Sequence, residues 1–197
     1  MKLHYYLITG ASRGIGEALA CRLISPENYV ISISRTQNPR LHVYSNNKKG
    51  AVRDIEFDLS ETQRLPDLVH GILRSIDPED VASFSLVNNA GTVQPVKLIG
   101  QGNRLDMIDR NFKVNLIAPA LITESFIRYT EDWNVERKIL NVSSGAAKNS
   151  VLGWSAYSSS KAGLEMLTQC LLAEQAGEAN PVKVVAFSPL GGGSMTS

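Results

Sequence analysis

The sequence predicts an α/β fold, a doubly wound parallel sheet with helices on both faces, on three observations. Short apolar runs rich in Val, Ile and Leu alternate with longer stretches of helical period. The runs are nearly continuous in their apolar character, as strands covered on both faces are. A glycine-rich turn joins the first run to the first helical stretch, the place where such sheets bind ligands.

The elements follow in order. Leu3–Thr9 is an apolar run closed by Gly10 and reads as the first strand, with Ile15–Ile24 as the helix after it. Tyr29–Ser34 is a second strand, ending in a polar Asn- and Lys-rich segment from Gln37 to Gly50 that holds at most a short helix. Val52–Phe57 is a third strand and Leu65–Ile76 a helix. Ser83–Val87 is a fourth strand, followed by a long helical stretch, Met107–Tyr129, with Pro119 inside it. Lys138–Val142 is a fifth strand, Ala156–Ala176 a helix, and Val182–Phe187 a sixth strand. Connections in such sheets are right-handed, so helices reach both faces only where the strand order reverses. With 197 residues, no repeat and no linker, the chain 1–197 reads as one domain with one sizeable core. After Ser188-Pro189 comes Leu190 to Ser197, a Gly/Ser stretch expected to be flexible and to supply neither helix nor strand.

Composition narrows the function classes. Apolar residues make up 43% and charged residues 20%, as in soluble globular proteins. A net charge of +1, with acids and bases interspersed, points away from a nucleic-acid groove or an acidic partner. Cys21 and Cys170 fall at apolar positions of expected helices and form neither a metal-ligand pair nor a disulfide framework. No metal is expected, and a reduced cytoplasmic setting is. The N-terminus is apolar only from Leu3 to Ile8, too short for a signal peptide or a membrane span.

Three local patterns carry chemistry. In Thr9-Gly10-Ala11-Ser12-Arg13-Gly14-Ile15-Gly16, the glycines let the chain turn tightly and let a helix N-terminus approach a pyrophosphate. The spacing differs from G-x-G-x-x-G, and an ordinary strand-to-helix turn is the alternative; its position in the first βα unit favours dinucleotide binding. The second strand ends in Ser34-Arg35-Thr36 without the acid that would bind a ribose 2′-hydroxyl. Arg35 and Arg13 would suit a 2′-phosphate, which favours NADP(H) over NAD, although either could be a solvated surface charge. Finally, Tyr157 and Lys161 stand four apart, on one face of a helix. An ammonium beside a phenol favours the phenolate, so such a tyrosine can exchange a proton with a substrate oxygen. Most isolated Y-x-x-x-K pairs are only exposed residues of an amphipathic helix; here Ser144 and the glycine turn supply the rest of a site.

Together these segments resemble the short-chain dehydrogenase/reductase family. The resemblance rests on Thr9–Gly16, Asp58-Leu59, Asn88-Asn89-Ala90-Gly91, Asn115, Ser143-Ser144 and Tyr157/Lys161, and covers residues 3 to about 189. Ser144 to Asn149, Gly153-Trp154-Ser155-Ala156-Tyr157 and Ala186-Phe187-Ser188-Pro189 are most similar to the sepiapterin reductase and benzil reductase group. The resemblance implies a Rossmann-type sheet and a division of labour. Tyr157 would be the acid/base, Ser144 would hold the substrate oxygen, and Lys161 would assist the tyrosine and bind the nicotinamide ribose. Asn115 would position a water linking Lys161 to solvent, and Asp58 would meet the adenine. Gly10, Ser12, Arg13, Gly14, Ile15, Gly16, Arg35, Leu59, Asn89, Ala90, Gly91 and Pro189 would line the cofactor. Individually, Asn115 could instead satisfy a backbone group, Asp58 could cap a helix before Glu61, and Ser143-Ser144 could be loop.

The expected activity is NADPH-dependent reduction of a small ketone, diketone or pterin side-chain carbonyl, by a homodimer or homotetramer formed through Met107–Tyr129 and Ala156–Ala176. The alternatives are a catalytically weak NADP(H)-binding sensor, or a 3-oxoacyl or hydroxysteroid reductase. Two departures stand out. Leu190 follows Pro189 where the family has glycine, and Thr196 is the first threonine after it. Family members also continue into substrate-covering helices and a seventh strand that this sequence does not supply, so the working protein is expected to have residues not shown here.

Overall fold

The computed structural model describes residues 1–102 and 104–189. Six parallel strands form one sheet in the order β3-β2-β1-β4-β5-β6. They are β1 (Leu3–Thr9), β2 (Asn28–Ser34), β3 (Ala51–Glu56), β4 (Val81–Asn88), β5 (Glu136–Val142) and β6 (Lys183–Phe187). The helices are α1 (Gly14–Leu23), α2 (Pro39–Lys48), α3 (Leu65–Arg74), α4 (Leu105–Phe112), α5 (Ala118–Tyr129) and α6 (Ser155–Gln175). The chain alternates strand and helix because each apolar run can be buried on both sides only if helices cover both faces. On one face Ile8, Val30 and Val87 pack with Ala20 and Cys21 of α1, Ile24 just after it, and Leu41 of α2. On the other, Leu7, Phe84, Leu86 and Ile139 pack with Val69 and Ile72 of α3, Ile122 and Phe126 of α5, and Leu171 of α6. Phe84 anchors this larger cluster, meeting Phe126 edge-on at 5.1 Å between centroids and Trp133 at 5.9 Å.

Three expectations are corrected. The polar segment after β2, expected to hold at most a short helix, is mostly helical: α2 takes up ten of its residues. It owes its start to capping: Asn38 accepts the Arg40 N–H at 3.1 Å, and Pro39 occupies the first turn. The stretch Met107–Tyr129 is not one regular helix. A single π-helical turn, Lys113–Ile117, separates α4 from α5 and leaves Pro119 in the first turn of α5. Cys21 is buried as its apolar position suggested, but Cys170 is exposed on α6.

β6 is the outermost strand on its side among the described residues, and its Val185 and Phe187 are about half exposed, 54% and 52%. No further strand or helix follows it among the described residues. Leu190 and Thr196 lie outside the described residues, as does the rest of the Gly/Ser stretch. Among the described residues no helix is long and apolar enough to cross a membrane.

Candidate active site

The strand order reverses between β1 and β4, so a crevice opens at their C-terminal ends. A cavity of about 500 Å³ occupies it. Arg35, just after β2, and Ser144, just after β5, both line it. Those strands stand three spacings apart, ~14 Å, so the cavity has an arginine end and a serine–tyrosine end.

The glycine turn forms the floor between them. Gly10 has φ +74°, a backbone shape that side chains oppose, and a Cβ there would lie 2.8 Å from the Ala90 Cα. Gly16 does not line the cavity as expected; it lies beneath it, where a Cβ would meet the Gly10 carbonyl oxygen and Asn89 Nδ2 at 2.3 Å each. Glycine at 16 therefore lets α1 press against the turn. The turn is also tied to the segment after β4. Thr9 Oγ1 accepts the N–H groups of Asn89 and Ala90 at 3.0 and 3.1 Å, while Asn89 Nδ2 donates to the carbonyls of Thr9 and Gly10 at 3.0 Å. No side chain caps the start of α1, so its first N–H groups face the cavity with the positive end of the helix dipole. That end can take a pyrophosphate.

Charge is arranged asymmetrically. Arg13 and Arg35 are exposed at the cavity and, among the described residues, neither has an ion-pair partner. Arg110 of α4 also lines the cavity but is neutralised: it donates to both Asp58 oxygens at 2.8 and 3.0 Å and to Ser60 Oγ at 2.8 Å. Burial pushes the Asp58 carboxyl up, yet hydrogen bonds from the Ser60 N–H, Arg110 and the Ser60 hydroxyl outweigh it and hold the group below the ordinary carboxylate range. Asp58 Oδ1 accepts the Ser60 N–H at 2.9 Å, an Asx turn instead of a helix cap. Two uncompensated guanidinium groups thus line the cavity, and they can take a further phosphate.

At the other end, Ser144, Tyr157 and Lys161 line the same cavity. The first N–H groups past Ser144 bend back, so its Oγ accepts the Ala146 N–H at 3.2 Å and keeps its own proton available to donate. The Trp154 ring meets the Tyr157 ring edge-on at 5.4 Å. Lys161 is 3% exposed. Its Nζ donates to the Val142 carbonyl at 2.7 Å, and burial lowers its pKa from 10.5 to about 8.

Asn115 does not line the cavity. It is fully buried in the π turn, where Oδ1 accepts the Thr92 N–H at 2.8 Å and Nδ2 faces Thr92 O, Asn111 Oδ1 and Ser160 Oγ at 2.9–3.0 Å. A Cβ on Gly91 would stand 3.4 Å from Asn115 Oδ1 and 3.6 Å from Lys161 Nζ. Glycine at 91 leaves the space between those two polar groups open.

Of the remaining expected residues, Ser12, Gly14, Ile15, Leu59, Asn89, Ala90 and Pro189 line the cavity. Sequence reasoning missed Arg110, Thr92 and Val93 in its wall, and Thr9, Asn111 and Ser160 behind it. Thr9 was within reach of the sequence, as the residue that leads the glycine turn; the polar helix residues carry no local signal of burial.

A family profile described as short chain dehydrogenase matches residues 4–194. A benzil reductase ((S)-benzoin forming) of Bacillus cereus is 40% identical over 187 residues, covering 95% of this chain and 75% of that one. A sepiapterin reductase of Meriones unguiculatus is 27% identical over 192 residues, 93% of this chain and 72% of the relative. A crystal structure of a metagenomic short-chain oxidoreductase in complex with NADP superposes with a TM-score of 0.81 at 28% identity, over 98% of this chain and 84% of the other.

Proposed function

The chain belongs to the short chain dehydrogenase family, and from that premise we propose that it is an NADPH-dependent carbonyl reductase with Tyr157 as the proton donor. One observation carries the reading: the cavity that holds Ser144, Tyr157 and Lys161 at one end holds the unpaired Arg35 at the other, with a second unpaired arginine, Arg13, on the glycine turn. A dinucleotide with a 2′-phosphate spans both, with its pyrophosphate at the start of α1 and its adenosine between Arg35 and Asp58. Bound there, the nicotinamide supplies the hydride.

This chain's residues do the rest. Negative charge grows on the carbonyl oxygen as the carbon is reduced, and the Ser144 hydroxyl donates a hydrogen bond to it. Tyr157 donates the second hydrogen bond and then the proton. Lys161 holds the nicotinamide ribose, and with a pKa of about 8 it can lose and regain a proton near neutral pH. The open space between its Nζ and Asn115 Oδ1 supports a water there as the path by which the site regains its proton.

The substrate reading is a small ketone or diketone of the benzil type. Val96, Val151 and Leu152 are exposed apolar residues on the two loops that meet through the Lys97 N–H and the Gly153 carbonyl, and Trp154 stands beside Tyr157. That rim supports an apolar or aromatic flank on the carbonyl, and the likeness to benzil reductases points the same way. Self-association and a reducing cytoplasmic setting belong to the same proposal, supported by exposed Ile117, Met166 and Leu172 and by two free thiols.

The test follows NADPH absorbance with benzil, sepiapterin and an acetoacetyl thioester. Benzil is expected to be reduced, and Tyr157→Phe to lose about 10³-fold in turnover with NADPH affinity close to wild type. Normal turnover by the variant removes Tyr157 from the mechanism. Tight NADPH binding without oxidation by any carbonyl makes the protein a binding module.

A further inference from the structure

We infer that Asn111 is a positioning residue: acting through Ser160, it sets the place of Tyr157 on the first turn of α6. Asn111 is completely buried on α4, and its amide is saturated. Nδ2 donates to the carbonyls of Thr92 and Gln94 at 2.9 and 2.7 Å. Oδ1 accepts from Asn115 Nδ2 at 3.0 Å and from Ser160 Oγ at 2.9 Å. These four bonds fix which way the amide points, because swapping its oxygen and nitrogen would set donors against donors.

Ser160 joins this hub to the reacting end of the cavity. It is also completely buried, one turn after Tyr157 and next to Lys161. Its Oγ lies 2.8 Å from the Tyr157 carbonyl oxygen, so its one proton is shared between that oxygen and Asn111 Oδ1, while it accepts from Asn115 Nδ2 at 3.0 Å. α6 begins without a side-chain cap at Trp154. Its first turn carries Tyr157, and through Ser160, in the second turn, Asn111 ties the Tyr157 carbonyl to α4. The other arm of Asn111 holds Thr92 and Gln94, whose loop forms the cavity wall with Thr92 and Val93. One amide thus fixes the distance between that wall and the tyrosine. A misplacement of ~1 Å can cost about 100-fold in rate.

The inference rests on Tyr157 as the proton donor, and the experiment separates the two. Asn111→Ala, Ser160→Ala and the double variant are assayed with NADPH and benzil beside wild type. In each single variant kcat should fall between about 10-fold and about 100-fold, with KM for benzil and the NADPH Kd each within about threefold of wild type. The double variant should fall no further than the worse single one, since both remove the same link. In the protein without cofactor, the Thr92 and Ser158–Lys161 amides should exchange with solvent about tenfold faster in Asn111→Ala, while β1 amides stay protected. Losses that multiply in the double variant, losses confined to KM, or wild-type kcat in Ser160→Ala overturn the inference. If Asn111→Ala does not fold, Ser160→Ala decides alone by the same kcat and exchange criteria. Wild-type protein inactive on every carbonyl overturns the reductase reading instead; exchange that is then unchanged in Ser160→Ala overturns the positioning inference as well.

Discussion

Replacing Lys161 with methionine is expected to stabilise the protein at neutral pH and to destabilise it, relative to wild type, near pH 10.5. The ammonium is 3% exposed, donates to Val142 O at 2.7 Å, and has no carboxylate at ion-pair distance among the described residues. Burial alone lowers its pKa from 10.5 to about 8. The fold therefore disfavours the charged form, and the unfolded chain does not. At about 1.4 kcal/mol per pH unit, that difference is a penalty of about 3 kcal/mol. Below pH 8 both states carry the proton and the penalty is present in full. Between pH 8 and pH 10.5 the folded lysine gives up its proton while the unfolded one keeps it. The unfolded state then binds more protons, so wild-type stability rises with pH through this window. Methionine abolishes the penalty and forfeits the hydrogen bond to Val142, worth about 1 kcal/mol. The variant should lead by about 2 kcal/mol at pH 7 and trail by about 1 kcal/mol near pH 10.5. Urea unfolding of both proteins without cofactor, at several values from pH 7 to pH 10.5, measures the gap and cancels every other titrating group. A gap that does not change with pH, or wild type leading at pH 7, refutes the reasoning. The same variant should be inactive, so the lysine is kept at a cost in stability.

Other perturbations follow from the same geometry. Arg13→Ala and Arg35→Ala should each weaken NADPH binding by about 10-fold or more, a loss of about 1.5 kcal/mol for a charge-assisted bond, and leave NADH binding nearly unchanged. Equal losses for both cofactors, measured by fluorescence titration, would detach the arginines from a 2′-phosphate. Gly16→Ala drives a Cβ to 2.3 Å from the fixed Gly10 carbonyl, so urea unfolding should show a loss of about 1–3 kcal/mol or more. Gly91→Ala meets only ordinary contacts, at 3.4 Å and beyond. Its melting temperature should hold while kcat drops about tenfold or more, because the methyl fills the space between Lys161 and Asn115; unchanged kcat would argue against a proton path there.

Much of this fold was legible because its strands are buried on both faces. Runs such as Tyr29–Ser34 and Val182–Phe187 match β2 and β6 to within a residue. α2 was not legible, since Leu41 is its one buried residue and its start depends on Asn38, whose amide also donates to the Ala11 carbonyl of the glycine turn. The π turn escaped for a related reason: Met107–Tyr129 keeps a helical apolar pattern straight through a local change in hydrogen bonding. At the site, the turn at Gly10 and the pair Tyr157 and Lys161 could be named because their spacing is local, and Ser144 through the resemblance to the family. Arg110 could not be, since its partner Asp58 lies 52 residues away.

The sequence by itself determined the alternation of strand and helix, the glycine turn after β1, the missing acid after β2, and the pairing of Tyr157 with Lys161 on one helical face. Each depends on neighbours within a few residues, which is the range over which a chain's composition dictates its shape. Only the tertiary structure decided that Lys161 is buried without a carboxylate, that Arg13 and Arg35 stay unpaired while Arg110 is spent on Asp58, and that Asn111 and Ser160 close a saturated network behind the tyrosine. Those properties come from desolvation and from hydrogen bonds between segments 45 to 52 residues apart, and such distances are set by the parallel sheet, which lays the segments after β3, β4 and β5 along one C-terminal edge.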